Sequence, residues 1–240
     1  KSDFVVSNGS PTWSTINYTS VLLISKPNTT ATIKVAKIDA VTTKKAAVYL
    51  YFDDGLISQY ENAFPILEKY GFRGTICVIT SRPQLDGYVS WNQLRELQNA
   101  GWLVVSHGYQ SLSLANVSLE EAEYELRKSH EDLRDRGFIF GSKCFVAPQT
   151  SWSDAVDKIA RKYYAICRTY SYAGAGKSNM RQEFPQSHPR AQYGRSPLNT
   201  DSTSMWTGFV DEAIDPRQAI AVSFHDIKEN GGTYSNTPQF

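Results

Sequence analysis

From residue 46 onward, short β-branched apolar runs alternate with stretches whose apolar residues recur at helical spacing, and this alternation is the strongest constraint on the fold. The runs are AVYLYF at 47–52, GTICVI at 74–79, WLVVS at 102–106, KCFVA at 143–147, YAICRTY at 164–170 and AIAVSF at 219–224. Helical spacing fills 58–70, 90–100, 118–136 and 153–163. Continuous apolar strands separated by helices predict an α/β fold with a parallel sheet buried by helices on its faces. About 195 residues are short for an eight-fold barrel, which typically takes about 250. A distorted or incomplete (β/α) barrel fits that length, and an open doubly wound sheet is the alternative. In both, chemistry belongs at the C-terminal ends of the strands.

The third helical stretch is the most strongly signed. Ser118 and Glu121 form a capping-box pattern, Leu119, Ala122, Leu126 and Leu133 share one face, and Glu123 with Arg127 and Asp132 with Arg136 stand at i,i+4. Its charges read as a solvated face. Residues 1–45 differ in kind: they are rich in Ser, Thr and Asn, with short β-type runs at 21–25 and 30–38, and they predict an N-terminal β appendage before a barrel domain of 46–240. Phe240 follows soon after the last expected strand, so the barrel is expected to be cut short there.

With 25 Lys+Arg against 24 Asp+Glu there is no basic footprint for nucleic acid, and no apolar run reaches the roughly 20 residues that span a bilayer. Cys77, Cys144 and Cys167 each sit inside an apolar run, without a Cys-x-x-Cys pair, and read as buried core residues. Asn-x-Ser/Thr triplets at Asn8, Asn17, Asn28 and Asn116 point to an extracellular or cell-surface location.

The strand ends carry the chemistry. The first strand runs into Asp53-Asp54-Gly55. Desolvating two adjacent unpaired carboxylates is costly, and a bound cation relieves it. An Asx-type turn closing at Gly55 accounts for one acid and the glycine, not for both acids. Strand alternation aims the two side chains apart, so one can ligate while the other acts as a base. The third strand ends in Ser106-His107 and the last in Phe224-His225, so imidazole, the commonest metal ligand and general acid or base, lies at two strand ends. His130, in mid-helix, and His188, in a Pro-flanked loop, read as structural or exposed. The fourth strand ends in Pro148-Gln149, where the proline stops the strand and Gln149 could offer an N–H or its amide to an oxyanion.

In this order, Tyr51-Phe52-Asp53-Asp54-Gly55, His107 with Leu114 beyond it, Phe145-Val-Ala-Pro148 and Val222-Ser-Phe-His225 resemble the polysaccharide deacetylases, the carbohydrate esterase family 4 or NodB-homology group. The likeness covers about residues 46–228. It implies a distorted (β/α) barrel of the NodB type that removes N-acetyl groups from a polysaccharide or oligosaccharide. By the same resemblance Asp53 is the general base, Asp54 and His107 hold a divalent metal, usually zinc, and His225 is the general acid.

The departures are specific. Where the family has a second metal-binding His, this chain has Ser111, which with Gln110 could fill the place weakly or through water. The arginine expected near Pro148 is absent, and Arg168 in the fifth strand is the candidate replacement. Asp201 and Trp206 lie in the stretch of the family's fourth motif at altered spacing, which makes Trp206 a candidate substrate contact; Trp91 and Trp152 could also stack on sugar rings. Ser111 also favours an alternative, a catalytically weakened barrel that binds carbohydrate without turning it over. A third reading takes the acids as the Mg-binding corner of a haloacid-dehalogenase-like phosphatase, but that scheme needs an Asp-x-Asp spacing and gives His107 and His225 no role.

Overall fold

A computed structural model describes residues 47–169, 181–182, 196–214, 219–229 and 231–239. The expected N-terminal appendage with Asn8, Asn17 and Asn28, and the loop holding His188, lie outside the described residues. Along the chain come β1 (Ala47–Phe52), α1 (Phe64–Lys69), β2 (Thr75–Val78), α2 (Trp91–Asn99), β3 (Leu103–Ser106), α3 (Leu119–Asp135) and β4 (Cys144–Val146). They are followed by α4 (Asp154–Ala160), β5 (Ile166–Arg168), β6 (Arg181–Gln182), α5 (Thr203–Ile214), β7 (Ala219–Phe224), β8 (Asp226–Ile227) and β9 (Ser235–Asn236). Each apolar run forms a strand and each helical stretch a helix. The stretch 58–70 enters its helix through a π-helical turn at Gln59–Ala63, and α5 has no counterpart among the expected helices. Thr203, Thr207 and Val210 are weak helix formers and Gly208 sits mid-helix, so local propensity does not announce it.

The main sheet has the order β5-β4-β3-β2-β1-β7-β6, parallel throughout except that β6 pairs antiparallel with β7. In a flat sheet β5 and β7 would stand about 24 Å apart, five strand spacings of about 4.8 Å. Yet Arg168 Nη1 on β5 donates to Ser223 Oγ on β7 at 2.6 Å. No arginine side chain spans a flat sheet of that width, so the sheet curls and brings its flanks together across the interior. The fold is the distorted parallel barrel, and an open doubly wound sheet is excluded.

Strand alternation then sorts the side chains. Tyr51, Cys77, Leu103, Val105, Cys144, Val146 and Ile166 share one parity and cluster inside the curl. All three cysteines are free and buried. The opposite parity faces the helices: Phe52, Ile76, Val78 and Val104 meet Leu94, Leu97 and Leu133, while Phe145 and Cys167 meet Leu126 and Val156. Phe52 also packs against Trp102 and Phe224, with ring centroids 5.1 and 5.4 Å away.

Helix α3 corrects four expectations. Ser118 Oγ accepts the Glu121 N–H at 3.2 Å, one half of the capping pattern, whereas the full reciprocal box forms at Ser90 and Gln93. Leu119 is 54% exposed, because the buried face begins a turn later at Ala122. Glu123 turns to Lys162 and Tyr163, each at 2.8 Å, and Arg127 pairs with Glu131 instead. Nor are all its charges solvated: Glu125 and Asp132 are buried. Asp132 meets Lys128, Arg136 and the Thr80 hydroxyl. His130 is structural, with Nδ1 2.7 Å from the Ser142 carbonyl.

Gly141 lets the 3-10 turn Gly141–Lys143 that leads into β4 pack against β3, since a Cβ there would lie 1.7 Å from the Val104 carbonyl oxygen. Backbone cannot rotate aside as a side chain can. Gly141→Ala is therefore expected to lower stability by about 1–3 kcal/mol or more, read as a lower urea midpoint. An unchanged midpoint would contradict this packing.

Candidate active site

Asp53 continues the interior parity of β1 past Tyr51, and its N–H donates to the Phe224 carbonyl at 2.8 Å, which prolongs the β1–β7 ladder by one bond. The side chain is therefore aimed into the curl, where it is 1% exposed. Arg168 continues the same parity on β5. Its Nη2 donates to both Asp53 oxygens, at 2.6 and 2.5 Å. Ser223 Oγ on β7 donates to Asp53 Oδ2 at 2.6 Å. Burial alone would raise the Asp53 carboxyl, but Arg168, then His107 and His225, and the Ser223 hydroxyl outweigh it and hold the group well below the usual range. Arg168 also lies over the Tyr51 ring, 4.4 Å from its centroid. With both Asp53 oxygens engaged this way, the two acids do not form the open carboxylate corner that Mg-dependent phosphoryl transfer needs.

Asp54 leaves the strand direction. It has a φ of 76° and Gly55 a φ of 72°, a left-handed pair that Asp tolerates better than most residues and Gly adopts freely. The turn places Asp54 Oδ1 3.5 Å from His107 Nε2. His107 sits on the interior parity of β3 beyond Val105, and its Nδ1 is 2.9 Å from the Val146 carbonyl oxygen. A carbonyl only accepts, so Nδ1 carries a proton, and Nε2 would present a lone pair to a carboxylate oxygen. Two such acceptors face each other comfortably only with positive charge between them, a second imidazole proton or a cation. Burial depresses the His107 pKa, but the Asp54 contact and the Asp53 charge outweigh it, and the net direction is upward. Two ligands of a tetrahedral zinc bonded at about 2.0–2.1 Å stand about 3.3–3.4 Å apart. The Asp54–His107 spacing fits a shared cation, with the Val146 carbonyl fixing the ring. Among the described residues no group of three or more His, Cys, Asp or Glu side chains converges to hold a metal, so the seat offers two such ligands.

Ser111 lies in the loop after His107, half-buried, with a φ of 67°. Gln149 reaches across from the end of β4, and its Nε2 donates to the Ser111 carbonyl at 3.1 Å. Gln149 and Thr150 are both left-handed, with φ of 52° and 55°, and both are exposed; Pro148 before them is buried. Gln110 is exposed, and its N–H turns inward to a residue that the sequence does not flag, Glu125 on α3. The Glu125 carboxylate accepts from Tyr109 N at 3.0 Å and Gln110 N at 2.8 Å and is drawn also to Leu112 N. Burial raises its pKa against the pull of these N–H groups. The loop is thus wrapped around one buried carboxylate, with Gly108 so close that a Cβ would sit 3.2 Å from Glu125 Oε2. A Glu at helical spacing with Ala122, Leu126 and Ser129 was the available signal.

His225 follows β7, half-buried beside Asp53, as the Phe52–Phe224 register requires. Its Nδ1 is buried without a hydrogen-bond partner among the described residues. The fully buried Gln59, at the start of the π-helical turn, ties the two strand ends together: its Nε2 donates to the Asp53 carbonyl at 2.5 Å and the His225 carbonyl at 2.8 Å. Ser58 and Asn62 from the same stretch hold Asp226 and Ile227. This clamp was also missed in the sequence, because polar residues in a helix beside a strand end have no distinctive spacing. The tryptophans stay apart from this cluster. Trp206 is 7% exposed, packed on Ile220 and Val222, with its Nε1 donating to Asp201 at 3.1 Å. Arg136 covers Trp91 at 4.0 Å, and Trp152 packs on Phe145.

The model of the family described as polysaccharide deacetylase matches residues 40–165. The Bacillus subtilis (strain 168) protein YxkH, whose name assigns it provisionally to the polysaccharide deacetylases, is 29% identical over 136 residues, which are 55% of this chain and 48% of YxkH. A polysaccharide deacetylase from Bacillus cereus shares the fold at a TM-score of 0.54 and 20% identity, over 68% of this chain and 50% of that one. IcaB from Ammonifex degensii does so at 0.52 and 19%, over 69% of this chain and 72% of its own. The chain spans about half the length of YxkH and of the Bacillus cereus protein. With its family model matched over more than half of its residues, the chain belongs to the polysaccharide deacetylase family.

Proposed function

We propose that this protein is a metal-dependent hydrolase that removes N-acetyl groups from a polysaccharide at or outside the cell surface. The observation that carries the reading is the meeting, at one mouth of the barrel, of an immobilised ionised Asp53 with Asp54 and His107 facing each other at 3.5 Å. Asp54 and His107 would hold a divalent cation, zinc being the natural fit to a carboxylate and an imidazole. When bound, it would polarise the acetamide carbonyl and acidify a water. Asp53 is the base. Arg168 and Ser223 fix its orientation and keep it ionised, so it is ready to take a proton across the neutral range; a carboxylate held this low is a weak base and needs an acidified donor. His225, at the neighbouring strand end, protonates the leaving amine. Gln149, whose backbone is held left-handed at the same mouth, is the candidate donor to the oxyanion. The products are acetate and a free amino sugar.

A second reading, carbohydrate binding without turnover, draws on the two-ligand seat and on Ser111. Acetate release from N-acetylated oligosaccharides separates the two. With the deacetylase, release requires about one equivalent of metal, stops on chelation and falls at least about a hundredfold in Asp53→Asn. Glycan binding that survives chelation, with no acetate formed at any metal level, selects the second reading.

Ser111→His would supply a third protein ligand, in a left-handed conformation that His tolerates. It is expected to tighten zinc binding by about tenfold or more in a chelator competition. Unchanged affinity would remove Ser111 from the metal's surroundings.

Arg168→Met strands the Asp53 charge in the interior. Stability should fall by about 3–5 kcal/mol at pH 7. Adding Asp53→Asn should restore part of that loss. The wild-type contribution belongs to a depressed carboxylate, so it is present above the ordinary value of 3.8 and fades as pH falls below it. A double variant destabilised by the full sum of the two single changes would contradict the coupling.

A further inference from the structure

We propose that Tyr234 is the sugar-stacking platform of the site, the surface on which the apolar face of a hexosamine ring rests while its acetamide meets Asp53. The inference rests on the deacetylase reading and deepens it. Tyr234 lies against the half-buried His225, ring centroids 5.3 Å apart and planes 40° from one another, yet 53% of its surface is open to solvent. An aromatic side chain left half-exposed beside a polar reaction centre forgoes burial worth about 25 cal/mol per Å². Such a surface is suited to a ligand with one apolar face and polar edges, which describes a pyranose.

The platform is also rigid. Tyr234 precedes β9, where Ser235 and Asn236 are buried and pair with Asp226 and Ile227 of β8. Ser235 N donates to the Gly232 carbonyl at 2.9 Å, and the Thr233 carbonyl accepts from Asn199 N at 2.9 Å. Ile227 on β8 is in turn held by Ser58 and Asn62. The backbone that carries Tyr234 is therefore tied to the strand end that carries His225, so little backbone ordering entropy remains to be lost when a ring stacks there. Trp91, Trp152 and Trp206, the aromatics that the sequence offered for this task, have their faces occupied by Arg136, Phe145 and Ile220 with Val222.

The test uses β-1,4-linked N-acetylglucosamine pentamer. Binding is measured in an Asp53→Asn background, which stops turnover, and kinetics in the intact protein. Tyr234→Ala should weaken binding about tenfold and raise KM with kcat within about twofold, while Tyr234→Phe and Tyr234→Trp stay near wild type. Being exposed, the position should leave the urea midpoint of all three variants at the wild-type value. Unchanged binding in Tyr234→Ala overturns the proposal. So does a loss confined to kcat with a displaced pH profile, which would make Tyr234 a positioning residue for His225. Failure of the wild type to bind the pentamer overturns it too. Binding that depends on Tyr234 in a protein that releases no acetate would uphold the platform and remove the deacetylase reading beneath it.

Discussion

The site depends on one buried cation–carboxylate contact. Arg168 and Asp53 come from strands that a flat sheet would hold about 19 Å apart, four spacings of about 4.8 Å, and they meet because the sheet curls. Arg168 Nη2 reaches both Asp53 oxygens, Ser223 shares the contact, and both partners are 1% exposed. A buried pair of this kind adds little net stability against a hydrophobic alternative, and breaking it is expensive. Its consequence is geometric: the Asp53 charge is satisfied where β1, β5 and β7 come together, and that arrangement also assembles the mouth.

One parity of the strands carries the rest. Tyr51 and Asp53, Val105 and His107, Val146 and Pro148, Ile166 and Arg168, and Ser223 and His225 are successive interior positions on five strands. In each case the first residue belongs to the core or its polar support and the second lies nearer the C-terminal end of its strand, where the site is built. Cys77 shares this parity on β2: it is fully buried, and burial first and then the Asp53 charge push its thiol well above the ordinary value. Asp54 escapes the parity only through its left-handed turn, and that escape lets it face His107 rather than the opposite side of the sheet.

Much of this was legible in the chain because period and position act locally. The runs at 47–52 and 219–224 are the strands β1 and β7 to the residue, and Asp53, Asp54, His107 and His225 stand at strand ends because a strand that is buried on both faces must end where charge begins. Partners that are distant in sequence were harder. Arg168 lies 115 residues from Asp53, and only the missing arginine near Pro148 pointed to it. Glu125 was hidden inside a helix whose other charges are mostly solvated, and Leu119 was misread because periodicity cannot tell where a helix leaves its packing partner. Trp206 looked like a substrate contact because it lies in the stretch of the fourth motif of the resemblance. Its indole N–H found Asp201 and its rings found β7, which is a core solution.

The loop after β3 is held in place by its backbone. Glu125 gathers the N–H groups of Tyr109 and Gln110, Gly108 admits the close approach, and Thr80 and Ser81 donate to the Gly108 and Tyr109 carbonyls at 3.0 Å each. Every one of these contacts is to backbone, so none senses the side chain at Ser111. The Gln149 clasp on the Ser111 carbonyl is likewise a bond to backbone. The loop's path is therefore set by contacts that do not involve the Ser111 side chain.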